Sequence, residues 1–483
     1  MNKQTILVLD LGGKYKELLA KRVRQCGVYS RIVSGSVPVE KIAEFAPAGI
    51  IITAGDESAK CDPALFSLGI PVLGIDKGAD AMVLALGGEV SSCERPEEPR
   101  VSMRCSPYSP LFESLDIQQT AYFVNDTCIS RMPEGFDFIT VTDDLPMAGV
   151  ADEKRKLYAL QFHPEKMETP GGAAMIKNFL LNICGAEKEH TLDNVGKQLM
   201  ELIKDKAAGR KVLLGVSGGA DSAVCAALMV KAIPDQFSCV FVDNGFMPAN
   251  EGETAAEALK ELGIEVTCID AADRFMAAVE GVCAADEKRS IIERELIKVF
   301  EEHAAVIGAE VLALGTVYND IEDDLQQRSH NTAFADVMEP LSWLFKDEAH
   351  AVGARIGISG EVLYRQSVPC TGLASRIVGE VTREKIDIVR AADAIFSEEM
   401  EESIVMADMF FSILTDKAAL GGKGSEKVII LRAVTKTDLM GSEYAQITQG
   451  ILSKISARIH SEIGGISRVL FDITADPYAE VEW

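Results

Sequence analysis

The chain has 483 residues, of which 47% are hydrophobic and 25% are charged, and its formal net charge is −26. This length predicts two or three domains, and the acidic balance argues against nucleic acid as the main partner because phosphate binding requires a basic face. The 11 cysteines lack metal-ligand spacing, and the sequence shows neither a secretory leader nor an apolar run that would span a membrane. We therefore expect a cytoplasmic protein with reduced thiols and no membrane partner.

The N-terminal region alternates strand-like runs with amphipathic helices. "TILVLD" (5–10) precedes "ELLAKRVRQCG" (17–27), and "AGIIITAG" (48–55) and "PVLGI" (71–75) follow. This βαβ rhythm is typical of a mostly parallel sheet. It predicts a doubly wound α/β domain over residues 1–187.

The stretch "PVLGIDKGADAMVLALGG" (71–88) predicts a strand, a tight turn and a helix that begins at Ala79. Enzymes hold a nucleophile on strained strand-to-helix turns of this kind. The turn residue here is Asp76, and attack of its carboxylate on a carboxamide would give a high-energy mixed anhydride. The sequence therefore predicts a nucleophile turn without an effective nucleophile.

A second α/β series follows "GAEKEHTLDNVGKQ" (185–198), which predicts the beginning of a connecting helix. It predicts a second doubly wound parallel sheet over 188–365, with strands at 211–216, 237–243, 265–270 and 310–316. From 366 to 483 the pattern changes to strands separated by two helices, which predicts a smaller α+β domain. The strands expected there are 374–382, 427–435 and 467–474.

The stretch "KVLLGVSGGADSAV" gives the strongest chemical signal, because it places a Gly-rich loop between a strand and a helix. Gly218 and Gly219 allow backbone N–H groups to surround an anion at the helix N-terminus. Ser217 and Ser222 add hydroxyl donors, and Asp221 could orient a magnesium ion. No lysine follows the glycines, so the loop differs from a Walker loop. Simple turn chemistry is the alternative interpretation.

The pattern S-G-G-x-D-S resembles the pyrophosphate loop of ATP pyrophosphatases, and the whole chain resembles the GMP synthase family. The matching stretches are "VLDLGGKYKELLAKRVR", "LQFHPEKMETPGG", "VSGGADSA", "FVDNGFMPANEGE", "DEKRSIIERELIKVF", "LGTVYNDIED", "GLASRIVGEVTREKIDIVRAADAI", "LRAVTKTDLM" and "DITADPYAEVEW". The resemblance implies a class I glutamine amidotransferase domain, an ATP pyrophosphatase domain and a C-terminal dimerisation domain. It also implies that xanthosine monophosphate (XMP) is adenylated with Mg-ATP, and that ammonia then displaces AMP to give GMP.

The resemblance further implies roles for individual residues. Ser217 and Asp221 are the implied catalytic residues, and Asp221 would also contact the magnesium that ATP carries. The implied ATP-binding residues are Ser217, Gly218, Gly219, Asp221, Ser222, Asp243 and Gly315, of which the last two border the adenosine. The implied acceptor-binding residues are Arg289, Arg328, Arg376 and Glu482, and the implied assembly is a homodimer.

The first domain departs from the family pattern. Where the family reads G-I-C-Y-G, with cysteine as the nucleophile, this chain reads G-I-D-K-G around Asp76. His163 and Glu165 match the other two triad positions, but without a nucleophile they have nothing to activate. The loops 53–60 and 123–127 also differ from the family. We therefore expect this domain to be a scaffold without glutaminase activity.

The acceptor region departs as well. Asp476 stands where the family has a lysine near the nucleotide, which replaces an attraction for phosphate by a repulsion. The segment 323–341, with Arg328 and His330, is shorter than the family's lid, and "PCTGL" places Cys370 beside the expected acceptor site. These differences concentrate at the acceptor, whereas the ATP loop is intact.

Three functional hypotheses follow. The first is a ligase of GMP synthase type that adenylates XMP or a related acceptor and aminates it with ammonia. The second is ATP-dependent sulfur transfer or another adenylation of a different acceptor, with Cys370 as the sulfur donor; retained turnover in Cys370→Ser would exclude that donor. The third is a non-catalytic nucleotide-binding paralogue, which the intact S-G-G-A-D-S loop disfavours.

Overall fold

The computed structural model describes residues 5–55, 59–94, 97–124, 126–320, 332–365, 368–403, 405, 407–436 and 442–474. The chain forms two compact units, of which the first ends at Asn194 and the second begins at Val195. Across these described ranges, no helix combines the length and the apolar character needed to cross a lipid bilayer.

The first unit is built on a mixed sheet. Its strands are β1 (Ile6–Leu11), β2 (Ser30–Ser34), β3 (Gly49–Ala54), β4 (Val72–Ile75), β5 (Glu89–Ser92), β6 (Arg100–Cys105), β7 (Gln118–Tyr122), β8 (Thr127–Arg131), β9 (Asp137–Val141), β10 (Gly149–Asp152) and β11 (Leu157–Leu160). Its helices are α1 (Lys16–Gln25), α2 (Val39–Glu44), α3 (Lys77–Ala85) and α4 (Gly172–Asn178).

The strands of the main sheet have the order β2-β1-β3-β4-β11-β10-β9-β6-β7. The five strands from β2 to β11 are parallel, whereas β10, β9, β6 and β7 pair antiparallel. The parallel half is buried on both faces, as the fully buried run Ile50, Ile51 and Ile52 in β3 shows. Strands β5 and β8 form a separate antiparallel pair.

The second unit contains two further sheets. Its strands are β12 (Val212–Gly215), β13 (Phe237–Asp243), β14 (Val266–Asp270), β15 (Val311–Ala313), β16 (Asp336–Met338), β17 (Met409–Asp416), β18 (Lys427–Lys436), β19 (Ser442–Tyr444) and β20 (Ile466–Asp472). Its helices are α5 (Leu192–Ala207), whose first turn contains the unit boundary, α6 (Ala220–Ala232), α7 (Glu251–Lys260), α8 (Ala272–Ala278), α9 (Ala285–Ile307), α10 (Lys346–Ile356), α11 (Gly360–Leu363), α12 (Arg383–Glu401) and α13 (Gln449–Glu462).

The first sheet of this unit is parallel, with the order β14-β13-β12-β15-β16. The chain therefore builds outward from β12 to β14 and then returns to the other side of β12 at β15. Open α/β sheets bind ligands beyond the carboxyl ends of the strands at such a reversal. In the other sheet, β18 pairs antiparallel with β17 and β19 and parallel with β20.

The predicted fold class is confirmed: two α/β regions with parallel strands precede a smaller α+β region. The predicted strand 237–243 matches β13, whereas the helix after the turn begins at Lys77 rather than at Ala79. The prediction of a strand over 374–382 is wrong. The domain limits 1–187, 188–365 and 366–483 remain predictions.

The segment 374–382 contains the β-branched residues Ile377, Val378, Val381 and Thr382, which favour a strand. The structure instead has a 3-10 turn over Gly372–Arg376, after which Ile377 makes only an isolated bridge to Leu414. Gly379, with φ 84°, then interrupts extended pairing. The sheet is completed by β17, which the sequence pattern had not singled out.

Candidate functional site

The turn after β4 has the backbone of a nucleophile elbow. Strand β4 ends at Ile75 and α3 begins at Lys77, so Asp76 makes the turn alone, with φ 53° and ψ −121°. A positive φ is unusual and strained for a residue other than glycine. Helix α3 lies directly against β3, since a Cβ atom on Gly78 would overlap the carbonyl oxygen of Ile52. The strained turn predicted from the sequence is present, and a carboxylate occupies it.

The structure brings all three predicted triad positions together. Oδ2 of Asp76 lies 3.5 Å from Nε2 of His163, and Nδ1 of His163 lies 2.7 Å from Oε1 of Glu165. The Glu165 side chain is 1% exposed and the Asp76 side chain 15%. An imidazole that a second acid orients is the arrangement of a catalytic triad. Here the imidazole lies between two carboxylates.

The charges of this cluster favour a protonated histidine. Burial alone would lower the pKa of His163, but the carboxylates of Glu165 and Asp76 outweigh it and raise that pKa. Burial also raises the pKa of Asp76, with a partial offset from His163. An imidazolium has no lone pair with which to act as a general base.

Aromatic and cationic groups surround the histidine. The Tyr15 ring meets the His163 ring edge-on at 5.1 Å, and the Tyr122 ring lies at 6.3 Å. Nζ of Lys166 lies 4.7 Å from the centre of the Tyr15 ring. Among the described residues, Oδ1 of Asp76, Nε2 of His163 and Oε2 of Glu165 are buried without a hydrogen-bond partner.

The residue after the turn connects the elbow to the altered loop 123–127. Nζ of Lys77 donates to Oδ1 of Asp126 at 2.8 Å and to Oγ1 of Thr127 at 2.9 Å. Thr127 also donates to the buried Asp80, one turn further along α3. Sequence reasoning missed this network, because its members lie about 50 positions apart along the chain.

The second candidate centre is the Gly-rich loop between β12 and α6. Gly218 has φ 84°, and Gly219 precedes α6 with φ −80° and ψ 163°. The N–H of Ser217 donates to Oγ of Ser222 at 3.3 Å, and that hydroxyl donates to the carbonyl oxygen of Gly219 at 2.9 Å. The N-cap of α6 is Gly219, which has no side chain with which to cap the helix. Its first N–H groups and two hydroxyls thus form a site suited to an anion.

The predicted ATP-binding residues follow three adjacent strands. Ser217 follows β12, Asp243 ends β13 and Gly315 follows β15. A Cβ atom on Gly315 would lie 2.8 Å from the backbone nitrogen of Ser222, so the L-G-T turn lies against the first turn of α6. Oδ1 of the exposed Asp243 accepts from the N–H of Gly245 at 2.8 Å. The structure places these residues at the reversal of strand order.

Asp221, in the first turn of α6, faces two residues that sequence reasoning missed. Its Oδ1 lies 3.3 Å from Nε2 of His350, and its Oδ2 lies 3.7 Å from Nζ of Lys346. The two partners are four residues apart on α10, a spacing that puts them on one helix face. In the sequence, the four-residue spacing shows that Lys346 and His350 share a helix face, but it does not show that Asp221 lies opposite them.

The site fits a magnesium ion brought by a nucleotide. Oδ1 of Asp221 is buried and, within the described ranges, has no hydrogen-bond partner. No group of three or more ligating His, Cys, Asp or Glu side chains occurs among the described residues. Magnesium in such sites typically takes one or two carboxylates and completes its shell with phosphate oxygens and water. Asp221 would be its protein ligand.

The described arginines of the predicted acceptor set lie in different surroundings. Arg289 is on α9 with its side chain 41% exposed, and it pairs with Asp286 at 3.0 Å. Arg376 is 3% exposed, its Nη1 lies 2.9 Å from Oδ2 of Asp393, and its guanidinium lies over the Phe411 ring. An arginine buried and paired in this way stabilises the fold, whereas Arg289 is accessible to a ligand. Both acceptor roles remain predictions.

The other acceptor-side residues remain predictions. Arg328, His330, Asp476 and Glu482 lie outside the described residues. Cys370 is half-buried, and its carbonyl oxygen accepts from Nδ2 of Asn244 at 2.8 Å. The P-C-T-G-L segment therefore lies against the loop that follows β13.

Comparison with known proteins covers the whole chain. The model of the class-I glutamine amidotransferase family matches residues 7–183, that of NAD synthase matches 192–376, and that of the GMP synthase C-terminal domain matches 395–483. Proteins named GMP synthase (glutamine-hydrolyzing) from Ruminiclostridium cellulolyticum and Clostridium acetobutylicum are each 38% identical, over 510 and 512 residues. The protein of the same name from Clostridium botulinum strain Hall is 39% identical over 512 residues.

In all three pairs the similarity covers 100% of this chain and 100% of the relative. The match thus includes the elbow, the Gly-rich loop and the C-terminal sheet in the order in which the family has them. By this full-length similarity, the chain belongs to the GMP synthase family.

Proposed function

We propose that this chain is an ammonia-dependent GMP synthase with an inactive glutaminase centre. It adenylates XMP with Mg-ATP, releases pyrophosphate and lets ammonia displace AMP. Its relatives are named as glutamine-hydrolyzing. The observation that separates this chain from that activity is Asp76 at the strained elbow, 3.5 Å from His163.

A carboxylate at this elbow lacks the chemistry of a thiolate. A thiolate forms a thioester that water can hydrolyse, whereas a carboxylate would form an anhydride of much higher energy with the same carboxamide. His163 lies between Asp76 and Glu165 but has no nucleophile to activate, because a carboxylate carries no proton for the imidazole to remove. The strand–turn–helix backbone of the elbow is retained, but glutamine hydrolysis is lost.

The second unit retains the groups that adenylation requires. The N–H groups of the first turn of α6 and the hydroxyls of Ser217 and Ser222 would bind the pyrophosphate as negative charge develops on it. Asp243 and Gly315 would border the adenosine. When bound, magnesium would supply charge neutralisation of the phosphates, and Asp221 would hold it at the loop.

The acceptor and the assembly belong to the same proposal. Arg289 would contact the anionic acceptor, together with Arg328 and Glu482, and a guanidinium suits bidentate contact with phosphate. A homodimer is the expected assembly. Sedimentation equilibrium of the full chain would test it, and a monomer at all concentrations would contradict it.

The decisive experiment compares nitrogen sources. AMP and pyrophosphate release from Mg-ATP and XMP is measured with ammonium or with glutamine, and glutamate formation is followed in parallel. We expect turnover with ammonium. With glutamine, we expect glutamate formation to be slower than ammonium-dependent AMP release by about 10⁴-fold or more, the scale of rate loss when an enzyme loses its nucleophile. Glutamate formation that keeps pace with AMP release would overturn the inactive elbow. No AMP with either source would overturn the synthase proposal itself.

Asp76→Cys is the matched variant. It restores the missing nucleophile while the loops 53–60 and 123–127 stay as they are. We expect no glutamate formation, since Lys77 ties α3 to the altered loop at Asp126. Glutamine hydrolysis by this variant would show that Asp76 alone disables the centre.

A further inference from the structure

An ion pair braces the Gly-rich loop from the side of α7. Glu251 is the first residue of α7, and its side chain is 8% exposed. Nη2 of Arg365, which follows α11, donates to Oε2 of Glu251, and Nη1 of Arg365 approaches the carbonyl oxygen of Gly218 at 3.4 Å. One guanidinium thus joins α7 to the loop.

Glu251 also touches the loop directly. A Cβ atom on Gly218 would overlap Oε1 of Glu251, so the carboxylate lies against the glycine α-carbon. Only glycine adopts the φ of 84° found here without strain, and glycine is also the residue with the greatest conformational freedom. The loop therefore needs an external group to hold it in one conformation.

The brace sets the direction of a backbone donor. The carbonyl of Gly218 and the N–H of Gly219 belong to one planar trans peptide and point in opposite directions. Arg365 binds the carbonyl, which turns the N–H toward the side of Ser217, whose Oγ accepts it at 3.3 Å. That side contains the hydroxyls that would meet a phosphate.

We propose that Glu251 and Arg365 are positioning residues for the nucleotide phosphates: together they fix the Gly218–Gly219 peptide so that its N–H faces the anion. This assignment rests on the proposed function, since it presupposes that the loop binds ATP. Arg365 also offsets the carboxylate charge, which would otherwise repel a pyrophosphate. Burial raises the pKa of Glu251 and Arg365 lowers it, as expected for a buried carboxylate with one cationic partner.

The test is equilibrium binding of Mg-ATP to the full chain by calorimetry, with thermal unfolding of each variant alongside. We expect Glu251→Gln and Arg365→Gln each to weaken binding by about 10- to 100-fold, the effect usual for residues that orient a ligand-binding group. The double variant should bind no more weakly than the weaker single variant, because either change breaks the same brace.

Two further variants keep the assignment falsifiable. Arg365→Lys keeps the charge but cannot hold two acceptors in a planar fork, so it should unfold like the wild type and still bind Mg-ATP more weakly. Arg274→Gln removes two other ion pairs, to Glu295 at 3.1 Å and to Glu302 at 2.8 Å, and should bind like the wild type. If Arg365→Lys and Glu251→Gln bind Mg-ATP with wild-type affinity, the positioning role of Glu251 and Arg365 is overturned, whereas the proposed function is not. A wild-type chain that does not bind Mg-ATP would overturn the proposed function and the assignment with it.

Discussion

The elbow at Asp76 and the loop at Gly218 are built alike but depend on different parts of their residues. Each follows a parallel strand, turns through a positive φ (53° at Asp76 and 84° at Gly218) and opens a helix. At the elbow, the reaction depends on the side chain of the turn residue, and the strained backbone only positions that side chain. At the loop, anion binding depends on backbone N–H groups, and glycine is required because the backbone adopts a positive φ there.

This difference explains how one site can lose its reaction while keeping its form. A single exchange at position 76 removes the nucleophile, yet the imidazole and its orienting carboxylate remain 2.7 Å apart. The Gly-rich loop cannot lose its function through a side-chain exchange alone, because its donors are backbone N–H groups and losing them requires a change of backbone conformation. Activity and architecture are separable at the elbow and inseparable at the loop.

The largest expected effect is that of Gly218→Ala. A Cβ atom would meet Glu251 and force the loop away from φ 84°, so we expect ammonium-dependent AMP formation to fall by about 100-fold or more. The control is Gly263→Ala, at φ 76° with nothing within 4 Å of its Cβ position. It should lose about 1 kcal/mol of stability and keep its turnover. Equal turnover in both variants would contradict a backbone-based site.

The next effect separates the two acceptor-side arginines. Arg376→Gln leaves the half-buried Asp393 without its cation, so we expect the free energy of unfolding to fall by about 1–3 kcal/mol. Arg289→Gln removes an exposed side chain and should unfold like the wild type, while KM for XMP rises about tenfold or more. Urea unfolding and XMP kinetics check both. A stable Arg376→Gln variant with raised KM would assign Arg376 to the ligand instead.

The smallest effect concerns the pH dependence of the elbow. Because the pKa of His163 in the folded chain lies above its ordinary value of 6.5, the proton favours the folded state. This stabilisation is complete below pH 6.5 and is lost as the pH rises through the folded-state pKa. It amounts to about 1.4 kcal/mol for each unit by which the two pKa values differ.

Urea unfolding of the full chain at a series of pH values above 6.5 measures this loss. His163→Gln should abolish it, whereas His190→Gln, a second histidine of the first unit, should retain it. The same pH slope in both variants would show that the cluster at the elbow is not protonated as described.

The sequence by itself determined the element order and the chemistry of the two turns. Strand runs such as 237–243 are recognisable because their apolar character is local. Asp76 and the pair Gly218 and Gly219 each lie directly between a strand and a helix along the chain, so each turn is visible without a fold. The triad positions His163 and Glu165 came from family resemblance, and the structure then placed them beside Asp76.

Only the tertiary structure decided which distant side chains meet these turns. Arg365 reaches Glu251 across 114 positions, Lys77 reaches Asp126 across 49, and α10 brings His350 to Asp221. The tertiary structure also buries Arg376 and forms a 3-10 turn over Gly372–Arg376, at the start of the segment predicted as a strand. A local pattern reports backbone preference and periodicity, whereas these contacts follow from the packing of whole elements. Packing depends on every residue of those elements at once, so no single stretch of sequence specifies it.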